Sequence, residues 1–211
     1  MNPVRNSVAL ATADDDGIAQ NQTPGAAGNL TLNGALVSGG VGILQSALGS
    51  ARVVLVTTAS DESGKTLTIY GTNHHGEAIS ETMTGPNATT GSTTLHFRTV
   101  TQVAVSAAFT GNVKVGTSGV GSSSTTVMDI FAMPFNAAIG CTVSGTVNYT
   151  VQYTLDNPNV ATALNWNNHA TIASKTAAFD GSITSPVTAI RTLINSGTGT
   201  VTTNILQATG H

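Results

Sequence analysis

The sequence contains very few charged residues. Asp, Glu, Lys and Arg together make up 8% of the 211 residues, against roughly a quarter in an ordinary soluble domain. Salt bridges must therefore be scarce, and much of the surface must carry neutral groups, including hydroxyls from the 35 threonines. Such a surface is desolvated at low cost, which favours extensive contact with other proteins. A secreted, threonine-rich β-protein remains an alternative that the composition leaves open.

Basic clusters and aromatic residues are also scarce. The seven Lys and Arg residues are scattered along the chain, the formal net charge is −3, and aromatic residues make up 4% of the chain. A nucleic-acid surface needs cations gathered on one face, and single strands also need aromatic side chains for base stacking. We therefore expect no direct binding of nucleic acid.

The sequence has a single cysteine, Cys141, which excludes an intramolecular disulfide framework. We expect it to be a small buried apolar residue rather than a catalytic thiol. No apolar run approaches the roughly 20 residues of a membrane span, and the N-terminal segment lacks the apolar core of a signal peptide. The sequence thus predicts neither a membrane span nor a targeting segment.

What the sequence has in abundance is short β-type runs separated by turn residues. Their pattern predicts an all-β protein with two small antiparallel β-sandwich domains, jelly-roll or immunoglobulin-like, at residues 29–118 and 119–211. Residues 1–28 lack apolar periodicity and are predicted to form an extended N-terminal arm. The Gly/Ser/Thr-rich residues 116–126 are predicted to be a flexible or solvated linker between the domains.

Three local patterns are specific enough to place. Asn73-His74-His75-Gly76 predicts the tip of a hairpin whose second strand begins near Ala78. Residues 147–155 alternate strictly between apolar and polar side chains, which predicts a strand with one buried face. Residues 187–194 and 200–206 flank a Ser-Gly-Thr-Gly turn and predict a closing hairpin, whereas at most a short helix is expected near residues 42–48.

Several motifs imitate functional sites. Residues 59–66 imitate a phosphate-binding loop, but a strand follows Thr66 where that loop requires a helix, so a polar hairpin is predicted. His74, His75 and Glu77 are expected at an exposed hairpin tip rather than around a metal. Residues 14–16, three consecutive aspartates, lack the alternating ligands of a calcium loop. We expect no catalytic residue, no metal and no cofactor.

The one candidate interaction loop is centred on the only tryptophan. Trp166 lies among Asn165, Asn167 and Asn168, and an indole beside amides is a frequent arrangement in carbohydrate sites. A tryptophan that closes the end of a sandwich is the competing interpretation. The sequence leaves both open.

Four segments resemble a family of tailed-bacteriophage virion proteins found among podovirus structural genes. They read DGIAQNQTPGAAGNLTLNGA (16–35), TLTIYGTNHHGEAISETMTGPN (66–87) with FRTVTQVAVSAAFTGNVKVGT (97–117), MPFNAAIGCTVSGTVNYTVQYTLDNP (133–158) and SPVTAIRTLINSGTGTVTTNILQ (185–207). Together they cover most of the chain in a consistent order. The resemblance implies a particle component, and it supplies no catalytic residues.

These observations lead to the expectation of a non-enzymatic structural protein of the virion, assembled in the host cytoplasm. The leading hypothesis is a capsid decoration, or cement, protein that bridges capsomers by contacts with the major capsid protein and with other copies of itself as a homo-oligomer. A neck, tail or fibre-base protein is the first alternative. A carbohydrate-binding module that uses Trp166 is the second.

Overall fold

A computed structural model describes residues 3–44, 50–159 and 163–208. Within these residues the chain forms eighteen strands. In chain order they are β1 (Val4–Ala9), β2 (Ala19–Gln22), β3 (Gly28–Asn29), β4 (Val37–Ser38), β5 (Val41–Ile43), β6 (Ala51–Thr58), β7 (Thr66–Thr72), β8 (Ala78–Thr84), β9 (Thr90–Phe97), β10 (Thr99–Val105), β11 (Val113–Ser122), β12 (Thr126–Val127), β13 (Ala137–Ser144), β14 (Val147–Thr154), β15 (Asn167–Asn168), β16 (Phe179–Ile183), β17 (Ala189–Gly197) and β18 (Thr200–Gln207).

The predicted all-β class is confirmed, since the described residues contain strands and no helix. The described residues therefore contain no helix that is long and apolar enough to cross a membrane. The short helix expected near residues 42–48 lies mostly outside the described residues, and Gly42 and Ile43 belong to β5. The chain divides into two compact units, here called the first unit (residues 12–44 and 50–119) and the second unit (residues 3–11 and 120–208).

The first unit is built from antiparallel strands around one core. One sheet has the order β4-β5-β10-β7-β8, with β3 added to β10. The strands β11, β6 and β9 are neighbours in another sheet, where β2 pairs with β11. Strand β6 is buried along most of its length, as its continuous apolar run predicts. The core contains Val54, Ile69, Phe97 and Val103, all with no exposed surface.

The hairpin predicted at Asn73–Gly76 is confirmed, because β7 and β8 pair in continuous register on either side of it. Gly76 has a φ of 85°, a left-handed conformation that glycine adopts without steric cost. The second predicted hairpin, at residues 59–66, is wrong. Strand β6 pairs with β9 whereas β7 pairs with β8 and β10, so this segment connects two sheets.

The second unit is a sandwich of two antiparallel layers. One layer has the order β1-β18-β13-β16, and the other contains β15-β14-β17 with β12 paired to β17. The first layer contributes Ile139 and Ile205 to the core, and the second contributes Tyr149, Val151 and Ile194. Each of these side chains is at most 2% exposed. The unit is therefore held together mainly by apolar burial between its layers.

The alternation in residues 147–155 places Val147, Tyr149 and Val151 in this core, as predicted. The opposite, polar face is not left open as expected, since the side chains at 150, 152 and 154 are also buried. The strand ends at Thr154, so Leu155 lies beyond it and is exposed. The closing hairpin is wrong, since β17 pairs with β14 while β18 pairs with β13 and β1. Residues 198–199 thus carry the chain from one layer to the other, and the same turn residues serve either geometry.

The expected N-terminal arm at residues 1–28 is also corrected. Strand β1 pairs with β18 over six residues, and Val8 and Leu10 enter the core of the second unit. Ile18 and Ala19 enter the core of the first unit. The buried apolar residues of this segment are too few to give a visible period, and they enter their cores among strands that are distant in sequence.

The prediction of a flexible linker at residues 116–126 is also wrong. Residues 116–122 continue β11, the boundary between the units falls inside this strand, and Thr117 and Ser122 are buried. The small residues permit close packing here: a Cβ added to Gly116 would collide with the carbonyl oxygen of Asp14. The Gly/Ser/Thr composition therefore reflects close packing rather than flexibility.

Candidate interaction surfaces

An exposed apolar segment begins at the last residue of β12 and continues towards β13 in the second unit. We call residues 127–133 the apolar loop. Phe131 is 85% exposed and Met133 is 67% exposed, and Val127 and Ile130 are also largely open to solvent. Single exposed apolar residues are ordinary on a protein surface, but four within seven residues form a patch that indicates an interaction site.

The apolar loop is held in place by hydrogen bonds at its base. The backbone N–H of Asp129 donates to Oε1 of Gln207 at 3.0 Å, and Nε2 of Gln207 donates to the Asp129 carbonyl at 2.6 Å. The Asp129 carboxylate accepts the N–H of Phe131 at 3.0 Å. Gln207 is 1% exposed, so this reciprocal pair is protected from water.

Two buried side chains flank the exposed ones. Met128 and Phe135 point into the core of the second unit, each 5% exposed. Inward and outward apolar residues therefore alternate around a fixed turn, and the outward ones are presented without a large loss of conformational entropy on binding. Such an anchored apolar tip is suited to a pocket on a partner protein.

The structure places the predicted loop residues at the edge of β14. Asn167 and Asn168 form β15, which pairs with Tyr153 and Gln152. Asn165 donates to Oδ2 of Asp156 from its backbone N–H at 2.6 Å and from Nδ2 at 3.0 Å. All three asparagines are exposed, and the Trp166 ring between them is partly exposed.

Arg191 joins this cluster, and sequence reasoning did not single it out. Its guanidinium carbon lies 4.1 Å from the centroid of the Trp166 ring, a cation–π distance. Its Nε donates to Oε1 of Gln152 at 2.9 Å, and Nε2 of Gln152 donates to Oδ1 of Asn168 at 2.9 Å. Burial lowers the pKa of the Arg191 guanidinium. The only sequence signal is an arginine within a buried strand.

Residues 59–66, which imitate a phosphate-binding loop, contain an ion pair instead. Nζ of Lys65 donates to Oε2 of Glu62 at 2.5 Å, so the lysine of the imitated motif is bound to a carboxylate. A strand, β7, follows it directly. The histidine pair lies at the tip of the β7–β8 hairpin, where the two rings are 4.0 Å apart and tilted against each other.

The three consecutive aspartates form a turn whose carboxylate oxygens lie within 4.8 Å of one another. Lys114 forms an ion pair with Asp15. The hydrogen bond with Asp14 is the main cause that raises the pKa of Asp16, followed by desolvation and the neighbouring charges. These interactions describe an acidic turn with one paired carboxylate.

Cys141 is 1% exposed and its Sγ lies 3.7 Å from Oγ1 of Thr203. Burial raises the pKa of its thiol, which favours the unreactive protonated form. His169 is likewise structural: its Nδ1 accepts the N–H of Ile172 at 3.2 Å, and its Nε2 lies 3.1 Å from the carbonyl of Ser182. Both residues fix backbone or core groups of the second unit.

The second unit also has an open pocket of about 410 Å³, lined by residues 145–148 and 196–197 with Thr176. These lining residues are all uncharged.

No protein-family model matches the sequence, and no curated protein matches it either.

Proposed function

We propose that this chain is a non-enzymatic structural protein of a tailed-phage particle, and specifically a capsid decoration protein. It binds the major capsid protein and other copies of itself, and symmetry repeats those contacts over the shell. The observation that carries the proposal is the anchored apolar loop at residues 127–133, because it presents Phe131 and Met133 to a partner on a rigid base. The low charge and the resemblance of the four segments to virion proteins support the same function.

The apolar loop is the point at which this function is tested. The binding assay uses particles that lack this protein. A Phe131→Ser, Met133→Ser double variant is expected to bind them at least tenfold more weakly than the unmodified protein does, since large side chains at the centre of an interface dominate its affinity. Folding is expected to be unchanged, because both side chains are mostly exposed. Co-sedimentation with particles measures the binding, and thermal unfolding measures the stability.

Tyr70→Ser is the matched control. Tyr70 is also an exposed large side chain, 40% exposed, but it lies on β7 of the first unit. The control should bind particles like the unmodified protein. Equal binding by the double variant would show that the apolar loop is not the contact.

Copy number distinguishes a decoration protein from a neck, tail or fibre-base protein. Decoration predicts on the order of hundreds of copies in each particle, whereas a neck or tail site predicts about a dozen or fewer, because the symmetry of the site fixes the number. Quantitative gel densitometry of purified virions measures it. A count near a dozen would favour the alternative.

A further inference from the structure

Arg191 is a partly buried cation without a carboxylate partner among the described residues. The two ion pairs in the described residues join Lys65 to Glu62 and Lys114 to Asp15, and neither involves Arg191. Its Nε is bound to Gln152, but its two terminal nitrogens have no acceptor within the described part of the chain. The terminal nitrogens can therefore donate to an anion from outside the chain, in the planar fork geometry that suits a carboxylate.

The residues around Arg191 offer more than a positive charge. Trp166 is stacked on the guanidinium and remains partly exposed, so the ring also presents apolar surface. Asn168 uses its Oδ1 for Gln152, which leaves its Nδ2 as a donor, and the exposed amide of Asn167 has no partner among the described residues. The pairing of β15 with β14 holds both asparagines in place.

We propose that Trp166 and Arg191 form a binding site for an acidic saccharide. The carboxylate of a uronate or sialate accepts hydrogen bonds from the terminal nitrogens of Arg191, a planar fork that matches carboxylate geometry. The C–H groups of the sugar pack against the indole, and its hydroxyls bind the amides of Asn167 and Asn168. This function is additional to the proposed particle contacts through the apolar loop.

A saccharide suits the cluster better than an acidic side chain of a protein. One sugar ring carries a carboxylate, an apolar face and several hydroxyls, which correspond to the guanidinium, the indole and the amides. An Asp or Glu side chain of a partner would use the guanidinium alone. The carboxylate of Asp156 already accepts hydrogen bonds from Asn165 through Oδ2.

Trp166 is the only tryptophan in the chain, so intrinsic fluorescence reports on this site directly. The full chain is titrated with oligogalacturonate, oligoglucuronate and a sialic-acid trisaccharide, each compared with its carboxyl methyl ester. We expect a saturable change in emission with at least one acid, and at least tenfold weaker binding of the matching ester. Binding should also weaken as the salt concentration rises.

Variants locate the binding. Arg191→Gln is expected to weaken the binding of the acid at least tenfold, while Arg191→Lys, which keeps the charge but loses the fork, weakens it less. Arg5→Gln makes the same change of charge at an exposed position of β1 in the same unit and should leave binding unchanged. Should Arg191→Gln fail to fold, the comparison of acid with ester on the unmodified chain decides the question.

Three results would overturn the proposal. The first is the absence of an emission change with all three acids, and the second is equal binding of acid and ester. The third is equal or tighter binding of a Glu-Gly repeat peptide, which would assign the site to a protein carboxylate. Each of these results leaves the particle contacts of the apolar loop untouched.

Discussion

At the scale of single residues, Glu62 is the buried charge on which the loops of the first unit depend. Its side chain has no exposed surface. The carboxylate accepts from Lys65 at 2.5 Å and from the backbone N–H groups of Thr110 and Gly111 at 2.7 and 2.9 Å. It therefore joins the β6–β7 connection to the segment before β11.

The charged state of Glu62 carries a prediction about pH. Burial acts to raise the pKa of Glu62, but the hydrogen bonds from Lys65, Gly111 and Thr110 together hold it below its ordinary value. The resulting stabilisation is complete above the ordinary pKa near 4.5 and is lost as the pH falls through the lower folded value. Glu62→Gln should lower the free energy of unfolding at pH 7 by roughly 1.5–3 kcal/mol. As the pH falls, the free energy of unfolding of this variant should also decrease less than that of the unmodified chain.

Urea unfolding between pH 7 and pH 2.5 measures both effects. Glu77→Gln is the control, because Glu77 is exposed at the β7–β8 hairpin, and its effect should stay within about 0.5 kcal/mol. If Glu62→Gln and the unmodified chain lost stability in parallel as the pH falls, the assigned role of the Glu62 charge would be wrong.

At the scale of elements, β1 shows how a short strand becomes essential through pairing. Its six residues match six residues of β18 in uninterrupted antiparallel register. Val8 has no exposed surface, and Leu10, just after the strand, is 2% exposed. The segment thus forms an edge strand of one layer of the second unit and supplies part of the core of that unit.

Removal of residues 1–10 is therefore expected to destabilise the second unit. Burial of a Val or Leu side chain contributes about 1.5–3 kcal/mol, so the loss of Val8 and Leu10 predicts about 3–6 kcal/mol in all. Thermal unfolding followed by circular dichroism measures the change. Removal of residues 1–3 alone, which precede β1, is the control and should have little effect. An unchanged melting temperature after the longer deletion would contradict this role of β1 and favour the extended N-terminal arm that the sequence predicts.

At the scale of the whole molecule, the described residues form two separate apolar cores. Phe97 belongs to the core of the first unit and Ile139 to the core of the second, and both are almost completely buried. Each core is assembled from strands far apart in sequence, so each unit buries an apolar core of its own.

Substitutions in the two cores are expected to act locally. Phe97→Ala should cost about 3–5 kcal/mol and Ile139→Ala about 2–5 kcal/mol, because each leaves a cavity. Hydrogen exchange read by mass spectrometry should show lost protection mainly in the unit that carries the change. Equal loss in both units would show that they unfold as one cooperative body.

Local patterns succeeded where neighbouring residues decide the structure. The β7–β8 hairpin depends on a four-residue loop, and the alternation around Tyr149 depends on the two-residue period of a strand. The same reasoning failed at residues 59–66 and near Gly199, because a turn between paired strands and a turn between layers use the same residue types. It also missed Arg191, since only β-strand pairing brings this residue to Trp166, 25 positions earlier.

The sequence by itself determined the all-β class, the scarcity of charge, one hairpin and the buried face of β14, because these follow from composition and from periods of a few residues. Only the tertiary structure decided that β1 pairs with β18, that residues 116–122 are a packed strand, and that Arg191 stacks on Trp166. The physical reason is that strand pairing joins residues across long stretches of chain, and its register is selected by the burial of a whole core rather than by any local sequence.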